Sequence, residues 1–310
     1  MRSRILKPFP TAILAAIACL PRSLPAQTPD WEKEELAWRG QHAADLQKPD
    51  GWLSLIALEW LAPGDIPIGS GGENKIRLPA TAPAHLAVLK LESGVVTLLS
   101  PAGGFPAGLK VNGAEAREQV LRVDPDRDKF NSRLTWGTFN LYVIRRAERF
   151  ALRVKDAKSP SLEGFHGLKW YEPSAAYRLK AKWIPYLPPK SVTLVTLVGT
   201  SYSQPVPGYA EFRLEGKAFR IEPVLEDPQS TRLFFILKDA TSGHTTYPAC
   251  RFLYAPIPDH GLDQPGEIVL DFNKMENPPC AYTPYATCPL PPAGNRLPVA
   301  LPVGEQRYHK

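Results

Sequence analysis

Leu109-Lys110-Val111-Asn112-Gly113 reads as a short strand running into a tight hairpin turn, because Asn and Gly both tolerate the positive φ angles that a two-residue connection demands. On either side the texture is the same. Runs of β-favouring residues, among them Leu53–Trp60, Ala87–Leu91, Val95–Leu99, Leu134–Thr138, Leu141–Arg145 and Phe150–Val154, are separated by Gly, Pro, Asn and Asp. Such spacing belongs to a sandwich or barrel rather than to alternating βαβ units. A boundary falls at Asp156 to Pro160, where Arg153-Val154-Lys155-Asp156 gives way to Ser159-Pro160-Ser161. Beyond it the pattern resumes with Tyr177–Pro185, Val192–Gly199, Tyr209–Leu214, Lys217–Glu222, Arg232–Lys238, Arg251–Tyr254 and Glu267–Phe272. Gly216 marks another hairpin turn in Leu214-Glu215-Gly216-Lys217.

Upstream, Asp30 is placed to cap a helix whose first turn carries Glu32, Glu34 and Glu35, which suits the positive end of the helix dipole. Trp31 and Trp38 share a face, and Pro49-Asp50-Gly51 ends the run, so an amphipathic helix over a β core is expected. The succession Ile68-Gly69-Ser70, Asn74-Lys75-Ile76-Arg77-Leu78-Pro79 and Val111-Asn112-Gly113 resembles the strand layout of forkhead-associated (FHA) sandwiches. That resemblance implies a fold and nothing more, because the Ser/Arg/Asn set that reads phosphothreonine does not align. The expectation is a mostly β protein: a signal peptide over 1–26, a helical segment over 27–50, an FHA-like β-sandwich over 51–156, and a second sandwich or barrel over 157–305 closed by a Pro-rich coil.

Arg2, Arg4 and Lys7 precede the apolar run Thr11 to Leu20, and Leu24-Pro25-Ala26 offers a small-residue exit, which is the pattern of a secretory signal. The apolar run is about half a membrane span, so no transmembrane segment is expected in the mature chain. Export to the periplasm or the exterior follows, with cleavage near Ala26 favoured over lipidation of Cys19, because the residue three before that cysteine is Ala16. Loss of Arg2, Arg4, Lys7 and Arg22 lowers the formal charge from +6 to +2. Lys and Arg are otherwise interspersed with Asp and Glu, so nucleic acid is excluded as a partner. The histidines at 42, 85, 166, 244, 260 and 309 are scattered and no Cys-x-x-Cys pair exists, which leaves no sequence-local metal site. Nothing names a cofactor.

Past Phe272, eight prolines between 278 and 302 remove backbone donors and exclude helix. The tail holds Leu270-Asp271-Phe272-Asn273, Asn277-Pro278-Pro279-Cys280-Ala281-Tyr282-Thr283, Ala286-Thr287-Cys288-Pro289-Leu290-Pro291-Pro292, Asn295-Arg296-Leu297 and Gly304-Glu305. With Asp239-Ala240-Thr241-Ser242-Gly243, Thr246-Tyr247, Arg251-Phe252-Leu253, Gly51-Trp52-Leu53 and Arg153-Val154-Lys155-Asp156, these stretches resemble the DUF1684 family of bacterial and archaeal proteins. The chain departs from the family pattern at Pro248, Cys250 and Met275-Glu276. The resemblance implies no activity.

Arg251, Asp271, Asn273, Asn277, Asn295 and Glu305 admit two readings. They converge on one pocket and bind a polar or anionic small ligand, or they hydrogen-bond the orphaned backbone of the Pro-rich coil. Tyr247 is a further candidate ligand donor or a packing residue. Cys280 and Cys288 suit a disulfide in an oxidising compartment, a pair of buried thiols, or a nucleophile served by His166 or His244. Tryptophans 52, 60, 136, 170 and 183 either line a sugar-stacking face or fill cores. No Gly-x-Ser-x-Gly elbow, His-Glu-x-x-His or Walker loop occurs. Three functions stand open: binding of a polar small molecule beside residues 271–305, a hydrolase-type enzyme using a carboxylate there, with or without a metal ion, and a structural envelope protein.

Overall fold

The computed structural model of the chain describes residues 29–125 and 127–308; the expected signal peptide and Cys19 lie outside them. Helix α1 (Asp30–Leu46) leads into the strands β1 (Leu55–Trp60), β2 (Gly64–Gly69), β3 (Ile76–Arg77), β4 (Ala87–Glu92), β5 (Val95–Leu99), β6 (Lys110–Val111), β7 (Ala114–Glu115), β8 (Gln119–Val120), β9 (Leu134–Trp136), β10 (Phe139–Arg146) and β11 (Arg149–Asp156). They form two sheets, in the orders β1-β11-β10-β9-β6-β7 and β3-β2-β4-β5-β8. Ile66, Ile68, Leu89 and Leu98 from one sheet meet Leu134, Leu141, Val143, Leu152 and Val154 from the other in a shared core. The turn at Asn112 and Gly113 has the positive φ angles expected of it, and β6 and β7 pair across it.

Period-two alternation decides what the outer face of this sandwich shows. On β10, Phe139, Leu141 and Val143 point into the core, while Tyr142 and Ile144 lie on the opposite face with Ala151 of β11. The same alternation carries Arg146, Arg153 and Lys155 outward, away from the apolar layer and toward the second half of the chain.

That half contains α2 (Pro160–Glu163) and the strands β12 (Arg178–Val195), β13 (Ser201–Leu214), β14 (Lys217–Ile221), β15 (Arg232–Leu237), β16 (Arg251–Pro256) and β17 (Gly266–Asp271). A sheet ordered β14-β13-β12-β17 packs on the antiparallel pair β15-β16. Leu233, Phe235, Leu237 and Leu253 face the larger sheet with Trp183, Phe212 and Leu270. Phe234, Ile236 and Phe252 face the other way, into a second cluster with Leu194, Val206, Cys250 and Cys288. Neither sheet closes on itself among the described residues, so this half is layered and not a barrel. The runs read separately as Tyr177–Pro185 and Val192–Gly199 belong largely to the one strand β12, whose pairing with β13 shifts register between Pro185 and Lys190.

The N-terminal helix differs from expectation at its cap and on its buried face. Pro29 is the residue before its first turn and supplies no side-chain cap, while Asp30 pairs with Lys33 at 3.0 Å. Its buried side includes Glu35 and Arg39, ion-paired at 2.9 Å, with Arg39 Nη1 donating to the Tyr171 carbonyl. A polar pair with a backbone target therefore replaces the apolar stripe that Trp31 and Trp38 suggested.

The C-terminal segment threads around these layers by short bridges, Phe252 with Glu276, Thr196 with Pro289, Lys238 with Arg296 and Trp170 with Glu305. Gly304 makes the last of its turns at φ +77°, and a Cβ there would lie 2.6 Å from the Met275 carbonyl oxygen. A side chain would meet both a backbone penalty and a clash. Gly304→Ala is expected to lower the unfolding free energy by more than about 1 kcal/mol in urea denaturation, with an unchanged m-value.

Candidate functional site

A cleft of about 500 Å³ opens between the outer face of β10 and β11 and the even-numbered face of β15 and β16. One wall is basic. Arg146 clamps Asp128 with both terminal nitrogens, at 3.0 and 2.6 Å, and Arg153 Nη1 reaches the same carboxylate at 2.8 Å. Thr287 Oγ1 accepts from Arg146 Nε at 3.2 Å and from Arg153 Nη2 at 3.3 Å. Burial alone would lower the pKa of Arg146, but the hydrogen bonds and charge of Asp128 outweigh it and hold the guanidinium ionised. Arg153 is almost wholly buried and, among the described residues, its Nε has no hydrogen-bond partner. Its guanidinium carbon lies 5.3 Å from the centroid of Trp52, which also lines the cleft.

The opposite wall is aromatic and acidic. Phe234 meets Phe252 edge-on at 4.7 Å and stacks on Tyr254 at 4.8 Å. Glu276 is fixed beside Phe252 by reciprocal backbone hydrogen bonds, each 2.9 Å. Glu226 follows Val224, which makes a similar bridge to Phe234. Desolvation raises the pKa of both carboxyls: Glu226 moves upward against the pull of Arg232, and Glu276 rises to about 7. His42 and Arg232 oppose the rise of Glu276, while Glu305 adds to it.

A smaller cavity, about 270 Å³, shares Trp52, Glu276 and Pro279 with the cleft and lies under α1. His42 stands there with Nδ1 3.3 Å from Glu276 and Nε2 3.4 Å from Glu305. Desolvation pushes His42 down, yet the hydrogen bond to Glu305 and the charges of Glu276, Glu305 and Asp45 more than compensate, so its pKa is raised.

The residues singled out from sequence sit elsewhere and do not come together in one cavity. Arg251 is fully buried, pairs with Asp239 at 2.6 Å, and donates to the carbonyls of Val303 and Leu301. Asp239 in turn accepts from the Leu301 and Thr241 backbone amides. Asn273 accepts from Ser174 N and donates to Ser174 O, and Asp271 accepts from both the side-chain amide and the backbone N–H of Asn273. Asp271 also lies 3.4 Å from Arg178. Asn295 brackets Glu222 N and O and the Ile236 carbonyl. Glu305 receives the Asn277 backbone and side-chain amides and the Tyr282 hydroxyl. Tyr247 donates to Cys280 O at 3.1 Å, with its phenol pKa raised by burial. Of the ligand candidates Asn277 lines the smaller cavity, and of the cysteine pair Cys288 lines the cleft. The tail's own contributions to the cleft are Glu276, Pro279, Ala286, Thr287, Cys288 and Pro289.

No disulfide joins Cys280 to Cys288. Both are free thiols, as is Cys250. The Cys288 sulfur accepts the Cys280 backbone N–H at 3.2 Å. A hydrogen bond from Cys288 lowers the pKa of the Cys280 thiol, whereas burial raises those of Cys288 and Cys250. Trp183 is core, Trp52 lines the cleft, and Trp170 packs edge-on against Trp38, so these aromatics do not share one face. Arg146, Arg153, Asp128, Glu226, Glu276 and His42 were not singled out as site residues. Arg153 lies inside a quoted motif, and its signal was a cation placed between buried valine and leucine on a strand.

The fold and cleft define a mostly β protein in two layered halves, with a polar cavity at their junction. Residues 163–306 match the model of a family described as a protein of unknown function, DUF1684, which bears out the resemblance over that stretch. No curated protein matches the chain. Among solved structures, an uncharacterized protein of Haloarcula marismortui is 29% identical over 46% of this chain and 78% of its own, with a TM-score of 0.40. The FHA domain of FhaA, complexed with the intracellular domain of Rv3910, is 19% identical over 32% of this chain and 97% of its own, with a TM-score of 0.22.

Removal of one member of the buried Arg251 and Asp239 pair leaves an uncompensated charge. Arg251→Leu is expected to cost about 3–5 kcal/mol in chemical denaturation, and the double variant Arg251→Met with Asp239→Leu to recover much of that loss.

Proposed function

We propose that this chain is an exported cell-envelope protein that binds a small polar ligand through an anionic group, in the cleft beside residues 271–305. The observation that carries the reading is a charge imbalance on the basic wall. Among the described residues Arg146 and Arg153 share the carboxylate of Asp128, and Arg153 Nε has no hydrogen-bond partner. Two guanidiniums that share one carboxylate leave positive charge at the cleft wall, and an anionic oxygen there would balance it. Forked guanidiniums suit carboxylate or phosphate oxygens, and Thr287 holds both forks at a fixed spacing. The cavity volume is within the usual range for small-molecule sites.

Inorganic phosphate is the simplest probe. It is expected to bind with an affinity that weakens as ionic strength rises, and Arg153→Met is expected to weaken it by about tenfold or more by calorimetry. The absence of saturable phosphate binding would sink the anion reading. Export rests on residues 1–26 of the sequence. Expression in a bacterial host is expected to yield an envelope fraction whose mature chain starts at Gln27; an intact chain in the cytosol counts against it, and a lipidated Cys19 would move the cleavage site.

A hydrolase-type use of the same cleft has one contact in its favour, the approach of His42 Nδ1 to Glu276 at 3.3 Å. That pair could move a proton at the cleft wall. Turnover of p-nitrophenyl phosphate that disappears in Glu276→Gln would carry the enzymatic reading, whereas phosphate binding without turnover leaves binding as the function.

A further inference from the structure

The cleft has a second pole, and its chemistry is the opposite of the first. Resting on the anion reading above, we infer that the ligand also carries an ammonium group, received at the wall formed by Phe234, Phe252 and Tyr254 together with the carboxylates of Glu226 and Glu276. The ligand class is a small zwitterion, an anionic head joined to an ammonium tail.

Four features support this assignment. Strand alternation on β15 and β16 turns Phe234, Phe252 and Tyr254 to the side of the pair that faces the cleft, away from the core that takes Leu233, Phe235 and Leu253. Aromatic rings gathered around a desolvated space attract cations through their quadrupoles, and the attraction grows as water is excluded. Glu226 and Glu276 bring carboxylates to the same wall, Glu276 half-buried beside His42 and Glu226 at its exposed edge. Glu276 is held in place by its bridge to Phe252, so its position does not depend on a flexible loop.

The remaining charges near this pole have been placed. Arg232 lies over the Tyr254 ring at 3.9 Å and acts on both carboxyls. His42 approaches Glu276 from α1, and Glu305 approaches from the chain end. With His42 protonated, the set Glu226, Glu276, Glu305, His42 and Arg232 carries a net charge of −1. Opposite it, among the described residues, Arg146 and Arg153 outweigh Asp128 by one positive charge. A zwitterion laid across the cleft neutralises both ends, whereas a plain anion leaves the carboxylate wall uncompensated.

Glu276 also sets the sign of the pH dependence. Its carboxyl is raised to about 7, and an ammonium neighbour favours the ionised form. The preference for a zwitterion over a plain anion should therefore be weak below that value and grow as pH rises through it.

Calorimetric titration of the purified protein with inorganic phosphate, phosphocholine, glycine betaine and choline tests the idea. Phosphocholine is expected to bind about tenfold more tightly than phosphate at about pH 8, with the ratio shrinking toward about pH 6. Glu276→Gln and Glu226→Gln are each expected to bring the ratio close to unity, and use of both variants guards against misfolding of either. Betaine binding more tightly than phosphocholine keeps the ammonium pole and makes the head a carboxylate. If phosphate binds and phosphocholine binds no better, the ammonium pole is overturned and the anion site stands. If neither phosphate nor any zwitterion binds, the anion site falls and the ammonium pole falls with it. Choline binding as tightly as phosphocholine would also overturn the zwitterion.

Discussion

A guanidinium with no exposure to water, Arg251, joins the last strand pair to the chain end. It gives its donors to Asp239 and to the carbonyls of Leu301 and Val303, and Asp239 returns acceptors to Leu301 and Thr241. A segment interrupted by prolines cannot satisfy its own carbonyls through a ladder or a helix. Side chains tie it to the layers instead: Arg251 takes the Leu301 and Val303 carbonyls, Asn273 and Asn295 of the tail bond the backbone of Ser174, Glu222 and Ile236, and Glu305 accepts the Asn277 N–H. Each is a local closure, and Arg251 is the one placed where the outermost turn meets the core. The cleft depends on this closure, because Glu276 and Thr287 lie on the segment that it holds against the layers.

The cleft's polarity follows from strand geometry more than from any motif. Alternation on β10 and β11 sends valine and leucine into the sandwich and leaves Arg146, Arg153 and Lys155 on the outer face. A cation on such a face is ordinary when it meets water. Here the second half of the chain covers the face, so the cations need partners, and Asp128 and Thr287 supply fewer acceptors than the guanidiniums have donors. On the facing side, β15 is buried on both faces, which its unbroken run Leu233-Phe234-Phe235-Ile236-Leu237 reflects. The aromatic wall is the half of that run left over once the core has taken Leu233, Phe235 and Leu237.

Much of the fold was legible because turns and alternation are local. Asn112-Gly113 and the spacing of short strands identified the sandwich, and the prolines after Phe272 identified the coil. The helix surface was less legible: Trp38 packs on Trp170, but Arg39 reaches the Tyr171 carbonyl and His42 reaches Glu276, partners distant in sequence. The cleft was not legible. Arg146, Arg153, Glu226, Glu276 and His42 lie on separate elements, and only tertiary packing brings them to one cavity system.

The cysteines and asparagines of the tail drew attention because they are unusual together, yet most of their polar atoms face backbone groups of the tail or its neighbours. This division has a physical reason. A residue that must satisfy buried backbone is fixed by its role and has little capacity left for a ligand, while a binding residue must retain an unused donor or acceptor. By that criterion Asn295, with its oxygen and both its donors engaged, belongs to the scaffold, while Arg153 lines the cleft with its Nε unpaired among the described residues. Arg251 also has an unpaired Nε among the described residues, but it lines neither of the two cavities. Residual hydrogen-bonding capacity at a cavity wall, rather than rarity in the sequence, is what separates the cleft from the clasp.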